Sequence, residues 1–569
     1  MKKKRKIRCI LPQKFGIERC TQIQSELSIS YPSVQILLGR GYEGPQEMKE
    51  FLFPSLDALH DPFLLRDMDR ATDRIIKAIK GKEPILIYGD YDVDGITSIA
   101  VLVKNFIRLG ADVYYYIPNR IKEGYGLSEG GIRSAGEKGF KLIITVDCGI
   151  NASDEVKLAK SLGIDVIITD HHIPRVELKD AFAVIDPLSN GEVYPFKKLA
   201  GVGVAFKLLE AIFSKLNMGK EELFSDLDLV ALGTVADVVP LIGENRILAR
   251  KGIERLRKTD KIGLLALIEK SGAKKQNLGT YEIGFILAPR LNASGRLNTA
   301  NKSLELLLTK DREKAWENAT FLEGVNRERQ ELQKKVMRES IEIIEREGYA
   351  QGVQGIVLAK DDWHEGVVGI AASKMAEKYG RPTILISTPD RFGKGSGRSI
   401  KSFSLLNALD KCKEYLIRYG GHRYAAGITI DKEKIDDFRT AFNRVVAEQL
   451  NEEALISNLQ IDCLLSFREI NKELLSELEN LEPYGAGNGQ PVFMTSKIDF
   501  VGYPRIVGNN HLKVKVREDN IVLETIGFGK GEEAKKIETA KQIYTICYYL
   551  KENEYRNKKR IQLQLLHIE

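Results

Sequence analysis

The sequence predicts an α/β protein in four parts: a parallel-sheet domain, a long connecting helix, a second α/β domain and a C-terminal β-barrel. Three observations carry this. Between residues 84 and 185 five short apolar runs alternate with helical patterns, the spacing expected of βα units. Residues 311–347 form one strongly charged helical pattern with only scattered apolar positions (Leu322, Val325, Leu332, Val336, Ile344), which suits a connector better than a core helix. Beyond about residue 460 the runs become short and β-rich, separated by turns such as Gly508-Asn509-Asn510.

The first apolar run, 85–88, leads into Asp90-Tyr91-Asp92-Val93-Asp94-Gly95. Three carboxylates so close repel one another and need compensation from cations or from donors such as Arg, and divalent metal is the natural compensator. A calcium-binding EF-hand is excluded, because the twelfth position counted from Asp90 is Val101 rather than Glu and the upstream residues read as strand. A solvated acidic turn is the alternative that this motif alone leaves open. The later runs, 113–117, 142–146, 166–169 and 183–185, extend the pattern. Pro118-Asn119-Arg120 follows the second, Asp147 the third, and Asp170-His171-His172 the fourth. Ligands of open α/β sheets sit outside the carboxyl ends of the strands, so these groups are expected to converge. Asp237, after a helical pattern over 226–236, lies between Ala236 and Val238, where an unpaired charge is disfavoured. It reads either as a ligand or as a hydrogen-bonded helix cap.

Farther on, Arg290-Leu291-Asn292-Ala293-Ser294-Gly295-Arg296 joins two guanidinium groups to small residues, which suits phosphate recognition. The second α/β pattern starts near residue 355 and runs to about 450. Its expected loops carry Trp363-His364-Glu365-Gly366, Gly395-Ser396-Gly397-Arg398-Ser399 and Gly420-Gly421-His422, where glycine would let N–H groups approach a phosphate and Arg398 would supply a forked donor. His171, His172, His364 and His422 all fall in expected loops, which favours a cleft over a satisfied core. In the barrel, Tyr503, Arg505, His511, Lys513 and Lys515 would suit single-stranded nucleic acid, with an all-β packing domain as the alternative. The expected parts are 1–80, a segment packing on the catalytic domain; 81–310, the catalytic domain; 311–347, the connecting helix; 348–455, the second α/β domain; and 456–569, the barrel.

Composition narrows the classes. A chain of 569 residues with 43% hydrophobic and 29% charged residues fits a soluble globular protein of three or four domains. The formal charge of +7 is uneven: Lys2, Lys3, Lys4, Arg5, Lys6 and Arg8 lie at one end, and residues 501–569 add an excess of 4 positive charges at the other. Both ends favour a polyanion, while the middle holds acidic chemistry. Six scattered cysteines with no Cys-x-x-Cys pair argue against zinc ribbons and a disulfide framework, and for a reducing, cytoplasmic setting. No signal-peptide core and no apolar run of about 18 residues is found, so no membrane segment is expected. None of the Gly-Lys pairs is followed by Ser or Thr, which removes the P-loop and weakens any ATPase reading.

Asp90, Asp92, Asp94, Asp147, His171 and Asp237 supply enough oxygen and imidazole ligands for two Mn²⁺ or Mg²⁺ ions sharing a bridging carboxylate, and the expected reaction is phosphoester hydrolysis. The stretches Tyr88-Gly89-Asp90-Tyr91-Asp92-Val93-Asp94-Gly95, Val146-Asp147-Cys148-Gly149, Thr169-Asp170-His171-His172 and Thr234-Val235-Ala236-Asp237 resemble the successive motifs of DHH-family phosphoesterases. Gly201-Val202-Gly203-Val204-Ala205-Phe206-Lys207, with residues 289–297, 363–369 and 420–427, extends the resemblance to the RecJ single-strand-specific exonucleases. The segment Leu481-Glu482-Pro483-Tyr484-Gly485-Ala486-Gly487-Asn488 is similar to the one preceding that family's OB-fold.

The resemblance implies a DHH catalytic domain, a DHHA1 domain and an OB-fold. It implies metal ligation by Asp92, Asp94, Asp147, His171 and Asp237, with Asp147 the bridge, and places Asp90, Asp170 and His172 among the catalytic motifs. Arg120, Ser396 and Arg398 look like residues that hold the 5′ end and neighbouring phosphates; Arg290, Asn292, Arg296, His364 and His422 are taken as further substrate contacts. Val93 stands where the family often has a small residue, and Gly489 where it often has Pro. The implied protein is a cytoplasmic, monomeric, metal-dependent exonuclease that removes nucleotides from the 5′ end of single-stranded DNA in recombination and repair, alongside a helicase and a single-strand-binding protein. Two rivals remain: a DHH phosphodiesterase of oligoribonucleotides, cyclic dinucleotides or pyrophosphate, and a non-catalytic nucleic-acid-binding adaptor. The β-rich C-terminal region weighs against the first, and the full set of motif carboxylates against the second.

Overall fold

The computed structural model describes residues 7–119, 123–297, 300–347, 355–450, 453, 456–538, 543–555 and 558–569. The five expected apolar runs form one parallel sheet from strands Ile85–Gly89, Val113–Tyr116, Leu142–Val146, Asp165–Thr169 and Ala183–Ile185. In space the second strand lies outside the first, and the third, fourth and fifth follow on its other side. The connection therefore changes direction between the first and third strands, and the crevice at their carboxyl ends is where such sheets bind ligands.

Side chains alternate across this sheet. Ile85 and Ile87 face a large core shared with helices Val93–Arg108, Gly201–Lys215 and Leu227–Ala236; Leu86 and Tyr88 face a smaller one with Ile132 and Val156 of helices Glu129–Glu137 and Ser153–Ser161. Coverage on both faces explains why the strands read as unbroken apolar runs.

The connecting helix is Arg312–Arg346, 35 residues, capped by Asp311, whose side chain accepts from Glu313 N at 2.8 Å. Ala315, Ala319 and Leu322 complete the catalytic core, whereas Val336 and Ile344 pack with Val367, Ala371, Met375 and Leu385 of the second domain. One helix, about 50 Å long at 1.5 Å per residue, thus belongs to two cores.

The second domain carries a mixed sheet ordered Leu416–Gly421, Ala425–Asp431, Phe392–Arg398, Thr383–Ser387 and Ile356–Lys360, with only the last two strands parallel to each other. Here the structure corrects the sequence reading. The Gly395 to Arg398 stretch is not a phosphate-cradling loop but part of a central strand, paired on both edges. Gly393, Gly395 and Gly397 point alternately into the core, where a Cβ would stand 2.8 Å from Ile386, 2.7 Å from Ile428 and 2.7 Å from Leu405 respectively. The glycines make room for close packing, and their alternation with Lys394, Ser396 and Arg398 is a strand period that turn-like composition disguised.

The C-terminal strands Phe493–Val507, His511–Glu518, Ile521–Gly527, Lys558–Ile568 and Tyr544–Tyr555 pair in that order, and the last returns to the first to close a five-stranded barrel. Lys513 and Lys515 alternate with buried Leu512, Val514 and Val516, and so face outward.

The structure divides residues 7–80 between two cores, where the sequence suggested that 1–80 form one segment on the catalytic domain. Helix Met68–Lys80 packs into the catalytic core through Met68, Ala71 and Ile75. Helices Ile17–Leu27, Tyr31–Gly39 and Pro45–Leu52 instead bury Cys20, Val34, Leu37 and Phe51 with Phe467, Leu474 and Phe493, in the core that also fills the barrel. Strand Ile7–Ile10 pairs in parallel with Ser457–Gln460. An apolar helix face does not name its partner, and this partner lies far along the chain: Ser30 N–H donates to Glu477, 447 positions away. Among the described residues, no helix is long and apolar enough to cross a membrane.

Candidate metal centre and active site

The acidic residues meet at the crevice. Asp90 follows the first strand, and Asp92 caps the helix after it, accepting from Asp94 N at 2.9 Å and Gly95 N at 3.2 Å. Asp94, in the first turn, is buried, and both its oxygens are held by the start of helix Gly201–Lys215: Gly201 N donates to Oδ2 at 2.7 Å and Val202 N to Oδ1 at 2.8 Å. That helix N-terminus favours a negative charge. Asp147, directly after the third strand, takes a left-handed backbone conformation with φ of 59°. Asp237 ends helix Leu227–Ala236, and Val238 after it has φ of 62°, a conformation that costs a β-branched residue about 1–3 kcal/mol.

His171 faces all three carboxylates: its Nε2 lies 3.0 Å from Asp147 Oδ1, 3.7 Å from Asp237 Oδ2 and 3.9 Å from Asp94 Oδ2. Ligand atoms of Asp94, His171 and Asp237 lie within 4.8 Å of one another, as do those of Asp90, Asp92 and Asp147. Asp147 also groups with His171, so it stands between the two sets.

Electrostatics test whether cations fit. Burial, then the neighbouring Asp92, pushes Asp94 up to about 7; burial and Asp94 push Asp237 up to about 9; burial and Asp94 push Asp147 well above the usual carboxylate range. Burial and the adjacent His172 lower His171 to about 4, so its imidazole is neutral, as a metal ligand must be. Its Nε2 is buried without a hydrogen-bond partner although it points at carboxylates. A proton on that nitrogen would satisfy one acid; divalent cations would satisfy the whole set. The residues therefore fit two hard divalent ions.

Asp170 is placed differently. Its Oδ2 accepts from Ile150 N at 3.0 Å, and its Oδ1 accepts from His171 N at 2.7 Å and contacts His172 Nδ1 at 2.7 Å. Burial opposes its ionisation, but the His172 hydrogen bond and charge, the Ile150 N–H and the His171 imidazole together outweigh that and hold it below the usual range. Burial likewise disfavours a charged His172, but the Asp170 bond and charge raise it to about 9. Asp170 thus orients the two histidines. Tyr125, which the sequence reading passed over, donates its hydroxyl to the Asp147 carbonyl at 3.0 Å and lies 3.2 Å from His172 Nδ1. Its signal was an aromatic between Gly124 and Gly126, both left-handed here.

The expected substrate contacts separate into groups. Asn292 accepts from Val93 N at 3.2 Å and so touches the turn between Asp92 and Asp94. Arg290 is engaged by Glu323 at 2.6 Å and by the Ile286 carbonyl, which ties helix Ala288–Leu297 to the connecting helix. The start of helix Glu365–Tyr379 comes close to Arg296: a Cβ on Gly366 would stand 2.5 Å from the Arg296 carbonyl. His364 caps that helix, with Nδ1 accepting from Gly366 N at 3.0 Å. Arg398 donates to Ser396 Oγ at 2.9 Å, and both pack beside Gly369 of the same helix. His422 is exposed in the turn between two strands. Arg120 lies outside the described residues.

A parallel sheet with acidic and histidine side chains converging at its switch point defines a DHH-type phosphoesterase, and family models agree: the DHH family N-terminal domain over residues 84–234, the DHHA1 domain over 352–448 and the RecJ OB domain over 461–567. The chain is 41% identical over 551 residues to the single-stranded-DNA-specific exonuclease RecJ of Bacillus subtilis, covering 96% of this chain and 69% of that one. It is 36% identical over 544 residues to the Haemophilus influenzae RecJ, covering 92% and 94%. The chain belongs to the RecJ family. RecJ from Thermus thermophilus in complex with Mn²⁺ matches with a TM-score of 0.83 at 29% identity, over 99% of this chain and 80% of that one. The Mg²⁺ complex of the same protein matches with a TM-score of 0.79 at 28% identity, over 99% and 78%.

Proposed function

We propose that this chain is a metal-dependent exonuclease that hydrolyses single-stranded DNA from the 5′ end to nucleotides, in recombination and repair. The observation that carries the reading is the meeting of Asp90, Asp92, Asp94, Asp147, His171 and Asp237 at one crevice, in a chain that also carries a strand-binding type of barrel. Asp94, His171 and Asp237 would hold one ion and Asp90 and Asp92 the other, with Asp147 between them. Bound there, the ions supply a water of lowered pKa and shield charge at phosphorus. His172, raised to about 9 by Asp170 and grouped with Asp147 and His171, can give a proton to the departing 3′ oxygen. Ser396 and Arg398, on the second domain's sheet, would hold the 5′ end with Arg120, and Arg296, Asn292 and His364 the adjoining strand. Arg290, already engaged by Glu323, contributes through the helix it fixes.

The same reading has the protein act as a monomer in the cytoplasm, on strands opened by a helicase and covered by a single-strand-binding protein. Its six cysteines are all free, including Cys9 and Cys547 with sulfurs 3.6 Å apart, which suits a reducing compartment. The test is digestion of end-labelled single-stranded DNA with Mn²⁺, beside a duplex control, by wild type and Asp147→Ala. Mononucleotides released from the 5′ end, lost in the variant and absent from the duplex, are expected. Cleavage of dinucleotides but not of strands would replace this reading with a small-substrate phosphodiesterase.

A further inference from the structure

Cys9 and Cys547 stand 538 positions apart in the chain, yet their sulfurs lie 3.6 Å from each other. A disulfide needs about 2.0 Å, so an approach of about 1.5 Å separates the two thiols from a bond. Access to them is unequal. Five of the six cysteines are buried, and Cys9 alone is partly exposed. It lines a surface cavity of about 550 Å³ together with Arg8, Leu11, Met494, Ser496 and Thr545. Cys547 is 1% exposed and is absent from that lining. A small oxidant can therefore reach the first sulfur, and the second is reached only through it.

The two cysteines belong to different parts of the fold. Cys9 lies in strand Ile7–Ile10, which pairs with Ser457–Gln460, and Ile461 N donates to the Ile10 carbonyl at 2.9 Å. Ser457–Gln460 is the stretch by which the chain passes from the last helix of the second domain, Ile435–Gln449, towards the barrel. Cys547 lies in the barrel strand Tyr544–Tyr555, opposite Met494 of the first barrel strand. Cys9 and Leu459 pack on the small apolar cluster formed by Ile461, Val492, Met494 and Cys547. The thiol contact is thus the place where the N-terminal strand, and the linker it pairs with, sit on the barrel.

We propose that Cys9 and Cys547 are a peroxide-oxidised thiol pair whose disulfide clamps the N-terminal strand and the interdomain linker to the barrel. Cys9, as thiolate, attacks one oxygen of a hydroperoxide; the O–O bond breaks, and the departing hydroxide takes up the proton that the thiol released, leaving as water. Burial and the neighbouring Cys9 push the Cys547 thiol up, so it stays protonated and acts second. Its sulfur displaces the hydroxyl of the Cys9 sulfenic acid, the S–S bond forms, and a second water leaves with the Cys547 proton. The two thiols lose two electrons and the peroxide gains them. A dithiol reverses the change, as suits a compartment where disulfides are chiefly transient.

The test exposes the reduced full-length protein to hydrogen peroxide, blocks the remaining thiols, and maps peptides without reductant. Wild type is expected to go from six free thiols to four, a loss of two, with the Cys9 and Cys547 peptides joined and released again by dithiothreitol. Cys547→Ala has no second sulfur, so dimedone, which captures sulfenic acid, should label it at Cys9. Oxidised wild type should melt about 5 °C above the reduced protein, because the link closes almost the whole chain into one loop, and Cys9→Ser should melt alike in both states. No readout depends on nuclease activity. Six thiols retained, or Cys9 carried on to sulfinic acid with no link to Cys547, overturns the proposal. So does an oxidised protein that melts below the reduced one, which would mean that the bond forms by prising the strand from the barrel.

Discussion

The backbone N–H of Gly201 donates to Asp94 Oδ2 at 2.7 Å, while a Cβ added to Gly201 would stand 2.8 Å from Asp147 Oδ1. One residue therefore holds one central carboxylate and leaves room for the other. Gly201→Ala keeps the helix, since its backbone is ordinary, but must displace Asp147 by some tenths of an ångström. We expect Mn²⁺ affinity to fall about 10- to 100-fold, the usual effect of disturbing what orients a ligand. Gly203→Ala is the control, because its Cβ would meet only Leu199, at 3.2 Å. A Mn²⁺ titration of activity decides; equal half-saturation in both variants would refute the link between Gly201 and the metals.

Without cations, the packed carboxylates oppose folding. Each unit by which a carboxyl is held up costs about 1.4 kcal/mol when it is charged, and Asp94, Asp147 and Asp237 are all held up. Asp147→Asn removes the central charge, and Asn tolerates the left-handed backbone that Asp147 adopts. In chelator this variant should melt higher than wild type, by about 2–4 °C per kcal/mol relieved. Added Mn²⁺ should raise wild type and leave the variant nearly unmoved, since only a bound ligand stabilises. Calorimetry in chelator and in Mn²⁺ checks both; a variant less stable than wild type in chelator contradicts the repulsion argument.

Much of this was legible because the chemistry is local in sequence. The strands ending at Gly89, Val146 and Thr169 are short apolar runs, and their acids and histidines follow within a few residues. Asp237 was recognisable from its apolar neighbours. Glycine-rich composition was the ambiguous signal: at Phe392–Arg398 it meant close packing within a sheet rather than a loop. Long-range pairings had no sequence signature. Nothing in the polar, punctuated N-terminal stretch announces that Phe51 packs with the barrel core, nor does the charged pattern of 311–347 announce that Asn326 is buried without partners. Tyr125 was hidden because its function depends on a turn between two left-handed glycines.

Asp226 supplies a pH-dependent prediction away from the metals. It is fully buried at the start of helix Leu227–Ala236 and meets Lys104 at 2.5 Å, Arg108 at 3.1 Å and Lys261 at 3.3 Å. Burial alone would raise its pKa, but Lys104 and Lys261 outweigh it and hold the carboxyl below its ordinary value. A depressed carboxyl contributes stability that is fully present above its unfolded value, about 3.9, and is lost as pH falls through the lower folded value. Asp226→Asn leaves Lys104 and Arg108 without their carboxylate, while Lys261 keeps Asp228 at 2.7 Å, and should cost about 3–5 kcal/mol at pH 7. Urea denaturation at pH 7 and again below pH 4 should show the gap to wild type narrowing; a gap independent of pH would mean packing, not charge, is responsible.

Arg246 joins three parts of the chain. It is 2% exposed, lies 3.7 Å over the Phe51 ring, and donates to the carbonyls of Phe51 at 2.8 Å, Asn480 at 2.8 Å and Leu481 at 2.9 Å. Burial lowers its pKa to about 9, and no described carboxylate pairs with it, so the three carbonyl dipoles and the Phe51 ring face balance the charge. Beside it, Leu241 N donates to Ala486 O at 2.7 Å, which fixes the chain four residues after Asp237. The barrel's leading segment is thereby fastened to the backbone that carries Asp237 of the carboxylate cluster. Arg246→Met fills the space but leaves three buried carbonyls unmade, a loss of about 3 kcal/mol or more at this joint. The barrel and N-terminal helices should then loosen together: protease should cut near residues 482–490, and kcat/KM on single strands should fall more than about tenfold although every residue of the carboxylate cluster remains, as small displacements near a reacting centre do. Arg246→Lys, keeping a single donor group, should lie between. A cleavage pattern and kcat/KM matching wild type in Arg246→Met would show that the barrel is attached by other contacts and that Asp237 is placed without it.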